Sequence, residues 1–328
     1  MTSVQINPHG IEAEYLRALN LCFGRWGDRR QYDWYFKRQT SYPETDVIVL
    51  QIDGQLAAGS AVSYRRVALK NAHEIGVGIV TGSWTLPQFR KRGCLTQIIA
   101  ESATLTAQKD GALLLAFMTE DNPSARTLAR AGAGLFPSYY LFSTAQTPTP
   151  KEASPLLRLA KSEQVVETLF DRLKERSKGY ARFVYPQARD FCAQFVDRAG
   201  PTEVFSDGRD NFGIVEAKAE TDILQLCLAA TADEAGITTC LAGFLKHALD
   251  HGRRLFLYST RPDIARAGAK LGLEAKAGYL TVLITDELRV QRALQLQTPL
   301  AQQDSYTFAR LDSPSFLGHW NVHGGDRA

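Results

Sequence analysis

The sequence predicts an α/β protein made of two units of one design, arranged in tandem along 328 residues. Three observations carry this. Runs with period-two apolar patterning alternate with runs at helical period. The run "ALLLAFMT" (112–119) is apolar without a break, as a strand covered on both faces is. The order strand, loop, helix, buried strand, short Ala/Gly helix, strand in residues 75–142 recurs in the second half. The length is long for one core and comfortable for two domains. Pro148, Pro150 and Pro155 crowd "TPTPKEASP", the best boundary in the chain. The expected division is therefore residues 1–147, a linker at 148–161, and 162–328.

Each element follows from its local pattern. Tyr15, Leu16, Leu19 and Phe23 lie at helical spacing, so residues 11–38 are expected to be helical. "DVIVLQI" is a strand ending at Asp53-Gly54, a hairpin signal, and "QLAAGSAVSYRRVAL" resumes the ladder. In "HEIGVGIVTGSWTL", Ile75, Val77 and Ile79 alternate, and the glycines allow a bulge or close approach. Pro87 stops that strand. From Cys94 the period becomes helical through Leu95, Ile98 and Ile99, until Asp110-Gly111. "NPSARTLARAGAGLF" reads as a short helix and "SYYLFST" as a strand. Beyond the prolines, "SEQVVETLFDRLKERSK" is an amphipathic helix with Ser162 as its N-cap. "NFGIVEAK" and "DILQLCLAA" are strands, "GITTCLAGFLKHALDHG" a helix, "RRLFLYST" a strand, "RPDIARAGAKLGL" a helix and "AGYLTVLI" a strand. "ARTLARAGAGLF" and "DIARAGAKLGL" share the string A-R-A-G-A.

Composition excludes several classes. Lys+Arg 38 against Asp+Glu 35 leaves +3, so an anionic ligand must be met locally. Five cysteines without a C-x-x-C argue against a disulfide framework or a zinc site and for a reducing compartment. No signal peptide and no membrane-length apolar run is present, so a cytoplasmic protein with no membrane partner is expected. "GRWGDRRQYDWYFKR" mixes cations with aromatics, as a single-stranded nucleic-acid site would. Asp28 and Asp33 within it and the low net charge favour an amphipathic lid over an acceptor site instead. His247 and His251 end a helix, where capping suits them better than metal. His319, His323 and Asp326 lack a fourth ligand, and no metal is expected.

The charge that is concentrated sits in "PQFRKRGCLTQI", where Arg90, Lys91 and Arg92 precede Gly93 between a strand and a helix. The first N–H groups of a helix have no internal partners, and its dipole adds partial positive charge there. An anion satisfies both, if a glycine lets the backbone approach. The G-x-x-x-x-G-K-[ST] and G-x-G-x-x-G phosphate loops are absent. P-x-[FY]-R-x-x-G is present as Pro87, Phe89, Arg90 and Gly93.

With these residues the sequence resembles the GCN5-related N-acetyltransferase (GNAT) family, whose motif is [QR]-x-x-G-x-[GA]. The resemblance covers residues 45–143 well and the second half more faintly, as in family members with two tandem units. It implies a mixed central sheet flanked by helices in each unit. It implies acetyl-CoA or another acyl-CoA as co-substrate, with the pyrophosphate on the amides of Arg92, Gly93, Cys94 and Leu95 beside Phe89, Arg90 and Lys91. The thioester carbonyl would meet an N–H among Trp84, Thr85 and Leu86. Asn122, with Ser124 after it, stands where the family contacts the cofactor. Two positions depart from the pattern: Leu95 replaces the last Gly or Ala, and the position of the family's acidic Tyr falls near Ala129. Tyr139 and Tyr140 are the substitutes nearby, or the thiolate leaves unaided. Glu120 and Asp121, at the carboxyl end of "ALLLAFMT", are the candidate bases, with water or a backbone carbonyl as alternative. Cys94, at a helix start beside cations, has the setting of a lowered pKa.

The second unit's loop reads "ATADEAGITTCL". Asp233 stands for Arg90, and Glu234 follows, so only the first unit is expected to bind CoA. The expected function is transfer of an acyl group from CoA to the amine of a small molecule, by direct attack. Acyl transfer from a carrier protein or aminoacyl-tRNA and a non-catalytic acyl-CoA-binding module are the alternatives. The sequence leaves the acceptor and the oligomeric state open.

Overall fold

A computed structural model describes residues 1–69, 73–208, 210–218, 221–231, 234–294 and 320–327. The polar strand β1 (Thr2–Ile6) precedes α1 (Glu12–Phe23) and α2 (Arg29–Phe36). The single helix expected over 11–38 is broken because Gly24 and Arg25 both take positive φ, and Asp28 then restarts it by accepting the Gln31 N–H. β2 (Asp46–Ile52), β3 (Gln55–Ala68) and β4 (Glu74–Thr85) follow, with a tight turn at Pro87–Phe89. Then come α3 (Cys94–Gln108), β5 (Gly111–Thr119), α4 (Ser124–Arg130) and β6 (Gly134–Phe142). The second half holds β7 (Leu157–Leu159), α5 (Glu163–Arg176), β8 (Arg182–Val184), α6 (Ala188–Phe191), β9 (Thr202–Ser206), β10 (Phe212–Ala217) and β11 (Ile223–Ala230). It closes with α7 (Glu234–Asp250), β12 (Arg254–Ser259), α8 (Pro262–Lys270), β13 (Glu274–Ile284) and α9 (Glu287–Leu294). Ser162 caps α5 by accepting the Val165 N–H, as its sequence predicts.

The chain forms two compact units. The first comprises Met1–Phe136 and, of the described residues, 280–294; the second comprises Pro137–Tyr279 and 320–327. In the first, β1, β2, β3 and β4 pair antiparallel in that order, and β4 pairs parallel with β5. Residues 280–284 lie on the far side of β5, where Thr281 Oγ1 donates to the Ala116 carbonyl at 3.2 Å. One face of this sheet buries Ile48, Val62 and Leu114 under Leu105 of α3. The other buries Val47, Val49 and Ala61 under Tyr15 and Leu19 of α1 and Tyr32 and Phe36 of α2.

The second unit repeats the plan. β9, β10 and β11 are antiparallel, β11 pairs parallel with β12, and β6 pairs antiparallel with β12. Its core sets Phe244, Leu245 and Leu241 of α7 against Leu226 and Leu257.

The unit boundaries differ from those the prolines predict. The segment expected as a linker at 148–161 contains β7, which pairs with β9, and so belongs to the second unit. The chain leaves the first unit earlier, at 136/137, because the strand after α4 joins the second sheet through Tyr139↔Ser259 to Phe142↔Phe256. The matching strand after α8 sends residues 280–284 to the first sheet. Each unit thus takes its last strand from the other's sequence repeat.

Candidate active site

The site begins where β4 and β5 part. Their parallel pairing runs from Gly76↔Gly111 to Ile79↔Leu115 and stops, although β4 continues to Thr85 and β5 to Thr119. On the β3 side, Gly82 and Ser83 together face Ser60, a bulge between the pairs Ala61↔Thr81 and Gly59↔Trp84. Gly82 takes φ +58°, which a side chain would disfavour. The bulge turns the last residues of β4.

The hydrogen-bond alternation beyond the bulge selects one amide. Leu86 N–H donates to the Ala57 carbonyl at 3.0 Å, so it is not available to a ligand. Trp84, two residues before it and paired with Gly59, also faces β3. Thr85, between them, directs its N–H and C=O away from β3, to the side that β5 has left. The Trp84 indole is buried against Tyr15, with centroids 5.3 Å apart, and belongs to the core. Of the three expected donors, geometry retains Thr85.

The Thr85 carbonyl accepts from Arg90 Nε at 3.4 Å and from Cys22 Sγ at 3.5 Å. Arg90 therefore folds back on the strand end rather than extending freely. Cys22 is a residue that sequence reasoning missed: it sits on α1, and only the fold brings it to β4. Burial raises its thiol pKa, and the nearby Arg90 opposes this.

The loop then presents its amides. Arg90 N–H donates to the Pro87 carbonyl, closing the tight turn. Lys91 and Gly93 take φ +64° and +77°, with Arg92 between them. Alternating conformations of this kind turn successive N–H groups into one concavity that suits an anion. Gly93 is also the N-cap of α3, and no side chain caps the helix. A Cβ at Gly93 would meet nothing within 4 Å, so the glycine serves backbone conformation and not space. Phe89 anchors the loop among Leu50, Ala57, Ala58, Cys94 and Ile98, with the Arg92 guanidinium 5.5 Å above its ring. Arg90, Lys91 and Arg92 are exposed. Leu95 is half-buried and Thr96 exposed.

Cys94 corrects the expectation of a lowered pKa. Its side chain is buried in that same cluster, burial raises its pKa against the weaker pull of Arg92, and Sγ donates to the Phe89 carbonyl at 3.5 Å. Desolvation outweighs charges that point to solvent.

At the end of β5, Asn122 Oδ1 accepts the Ser124 N–H at 2.9 Å and so shapes the start of α4. Asp121 Oδ1 accepts from Thr119 Oγ1 at 2.6 Å, and Glu120 is exposed. Tyr139 and Tyr140 fall on β6, in the second unit, because that strand pairs with β12. Tyr139 packs on the second unit's core. Tyr140 is buried, its ring 5.0 Å from that of Tyr258, and burial raises its pKa. The strand exchange separates the tyrosines and the carboxylates into different units.

Several aromatics of the aromatic–basic segment are packed into the core, and two of its cations are paired. Tyr32, Trp34 and Phe36 are buried, Trp26 stacks on Phe36 at 5.7 Å, and Arg29 and Lys37 pair with Asp33 and Glu12. In the second unit, the Asp233 expectation lies outside the described residues. His251 Nδ1 and the His247 carbonyl are 2.8 Å apart, as expected of a helix end. Among the described residues, no group of three or more His, Cys, Asp or Glu could hold a metal ion, and no helix is long and apolar enough to cross a membrane.

A parallel pair that splays beside a helix-opening loop of free amides is the GNAT arrangement, and residues 10–120 match the model of the acetyltransferase (GNAT) domain. The first unit is thus similar to the GNAT acetyltransferase domain. Solved GNAT structures share its fold over both units. A GCN5-related N-acetyltransferase from Anabaena variabilis ATCC 29413 is 14% identical, with a TM-score of 0.61 over 89% of this chain and 75% of that one. One from Kribbella flavida is 12% identical, with a TM-score of 0.59 over 89% and 74%. A tandem GNAT protein from the clavulanic acid biosynthesis pathway is 13% identical, with a TM-score of 0.58 over 86% of this chain and 99% of its own. At such identities these likenesses establish the GNAT fold and not the acceptor. No curated protein sequence matches the chain.

Proposed function

We propose that this N-acyltransferase moves an acyl group, acetyl in the first instance, from an acyl-CoA to the amine of a small molecule, with both bound at once. The observation that carries the reading is the Thr85 N–H, directed into the gap between β4 and β5, beside the free amides that follow Lys91. The acyl-CoA supplies an activated thioester. The amides of Arg92, Gly93, Cys94 and Leu95 hold its pyrophosphate, and the Lys91 and Arg92 side chains add charge. Thr85 N–H holds the thioester carbonyl and stabilises the negative charge that develops on its oxygen. The amine must be neutral to attack, and Glu120, free of the Thr119 contact that holds Asp121, takes its proton directly or through water. The carbon–sulfur bond breaks as the carbon–nitrogen bond forms. Because Tyr140 is buried in the second unit, the thiolate departs without a dedicated acid, tolerable for a thiol of pKa about 8.5.

The test is calorimetry with acetyl-CoA, followed by thiol release over a panel of amines. Saturable binding that Arg90→Glu abolishes, with the circular dichroism unchanged, is the expected outcome. Turnover from an acyl-carrier protein or aminoacyl-tRNA, with no binding at millimolar CoA, would replace the donor. CoA binding without turnover on any amine would make the protein an acyl-CoA-binding module.

A further inference from the structure

The second unit has its own splayed pair. β11 and β12 run parallel from Ile223↔Arg254 to Leu226↔Leu257 and then part, although β11 continues to Ala230 and β12 to Ser259. We propose that this gap is a peptide-binding cleft whose ligand is the chain's own C-terminal segment, Trp320–Arg327, seated where the first unit would take acyl-CoA.

The segment is held on both sides by backbone recognition. His323 bridges antiparallel to Ser259 on β12. Thr260 Oγ1 donates to the Trp320 carbonyl at 2.8 Å and accepts the Val322 N–H at 3.0 Å. Asn321 N–H donates to the Ala181 carbonyl at 2.8 Å. On the β11 side, Gln225 Nε2 donates to the Gly324 carbonyl at 3.4 Å. The Gly325 carbonyl accepts from Gln194 Nε2 and from Arg198 Nη1. Gln194, Arg198 and Gln225 are all buried, so these are polar groups built into the interior to meet main-chain oxygens. Arg198 is itself fixed by Glu216 at 2.8 Å.

The two glycines set what fits. A Cβ on Gly324 would stand 3.0 Å from the Leu226 carbonyl oxygen. On Gly325 it would stand 2.5 Å from the Phe195 ring and 3.1 Å from the Cys227 carbonyl oxygen. The backbone thus lies directly on the splayed strand, and a side chain there must displace it. The flanking side chains finish the seat. Asp326 accepts from the Tyr185 hydroxyl and from its own turn's His323 N–H. Arg327 lies 4.9 Å from the Tyr140 ring centroid and 5.0 Å from that of Tyr258, a cation over two aromatic faces. Backbone bonds, a Gly-Gly pair and an Arg on aromatics are how an extended peptide is recognised. The cleft therefore selects a Gly-Gly-Asp-Arg peptide and takes no acyl-CoA. This inference stands apart from the acyl-CoA reading of the first unit.

The test uses the full chain and its Gly325→Val variant, by amide hydrogen exchange. In the unmodified chain, the Val322 and Asp326 amides are expected to exchange as slowly as those of β11 and β12. In the variant they exchange at least a hundredfold faster. Its emptied cleft then binds an added peptide LGHWNVHGGDRA, while the same peptide with Val at the position of Gly325 does not bind. Rapid exchange in the unmodified chain, unchanged protection in the variant, or equal binding of the two peptides would each overturn the proposal. If Gly325→Val does not fold, Gly325→Ala, whose methyl still meets Phe195, is measured in its place.

Discussion

The two units open the same fork in their sheets and treat it differently. In the first, β4 and β5 part after Ile79↔Leu115, and the strand end turns Thr85 into the gap while Gly93 starts a helix with uncapped amides. In the second, β11 and β12 part after Leu226↔Leu257, and the chain's own residues 320–327 lie between them. The fork is what the tandem design inherits twice. What occupies it depends on a few residues at its lips: a bulge at Gly82 and a basic loop in one, buried amides and a guanidinium aimed at peptide carbonyls in the other. A repeated fold therefore does not imply a repeated activity.

The largest expected effect probes the first fork. Thr85→Pro removes the Thr85 N–H directed into the gap and leaves the Leu86 bond to Ala57 in place. A fall in kcat of about 100-fold, with KM for the acyl donor little changed, is expected from loss of such a donor. An unchanged kcat would move the thioester elsewhere. Acid probes the second fork. Burial, helped by Arg261, lowers the His323 pKa to about 3. Between about pH 6.5 and 3 the released or unfolded tail takes up a proton that the seated tail does not, so stability falls with pH by about 1.4 kcal/mol per unit. At pH 5 the tail's protection should be weaker by about 2 kcal/mol, and His323→Phe should flatten the profile. A slope that survives His323→Phe would show that it does not come from this imidazole.

Gly93→Val tests the loop by conformation alone, since its Cβ meets no neighbour. Forcing a branched residue into the left-handed region costs about 1–2 kcal/mol, so acyl-CoA affinity should drop by about tenfold with the second fork's exchange unaffected. The smallest effect is expected of Cys94→Ala. With its thiol buried and bonded to the Phe89 carbonyl, activity should stay within about threefold. Abolished turnover with CoA binding intact would instead favour a covalent route through sulfur.

Much of the fold was legible. The strands from 46 to 119 announced themselves by alternation and by Asp53-Gly54 and Pro87, and the Arg90–Gly93 loop by charge before a helix. β1 was missed because "TSVQI" is polar and lies exposed at a sheet edge, and β9 because five residues of mixed pattern carry no strong period. The choice of Thr85 among three neighbours was illegible, since it depends on a bulge that resets the hydrogen-bond alternation. The expectation for Cys94 failed because sequence shows the charges beside a residue and not the burial that outweighs them.

Local chemistry is therefore what the sequence determined by itself: helix and strand periods, a helix-opening loop with a glycine where φ must be positive, and two copies of one order of elements. Only the tertiary structure decided which sheet each copy's last strand joins, and with it that Tyr139 and Tyr140 belong to the second unit. It alone decided that the last residues of the chain fill the second fork. Period and propensity describe a strand's faces, but its partner is chosen by which edge is unpaired and which gap its side chains fit. Those are properties of the assembled sheet.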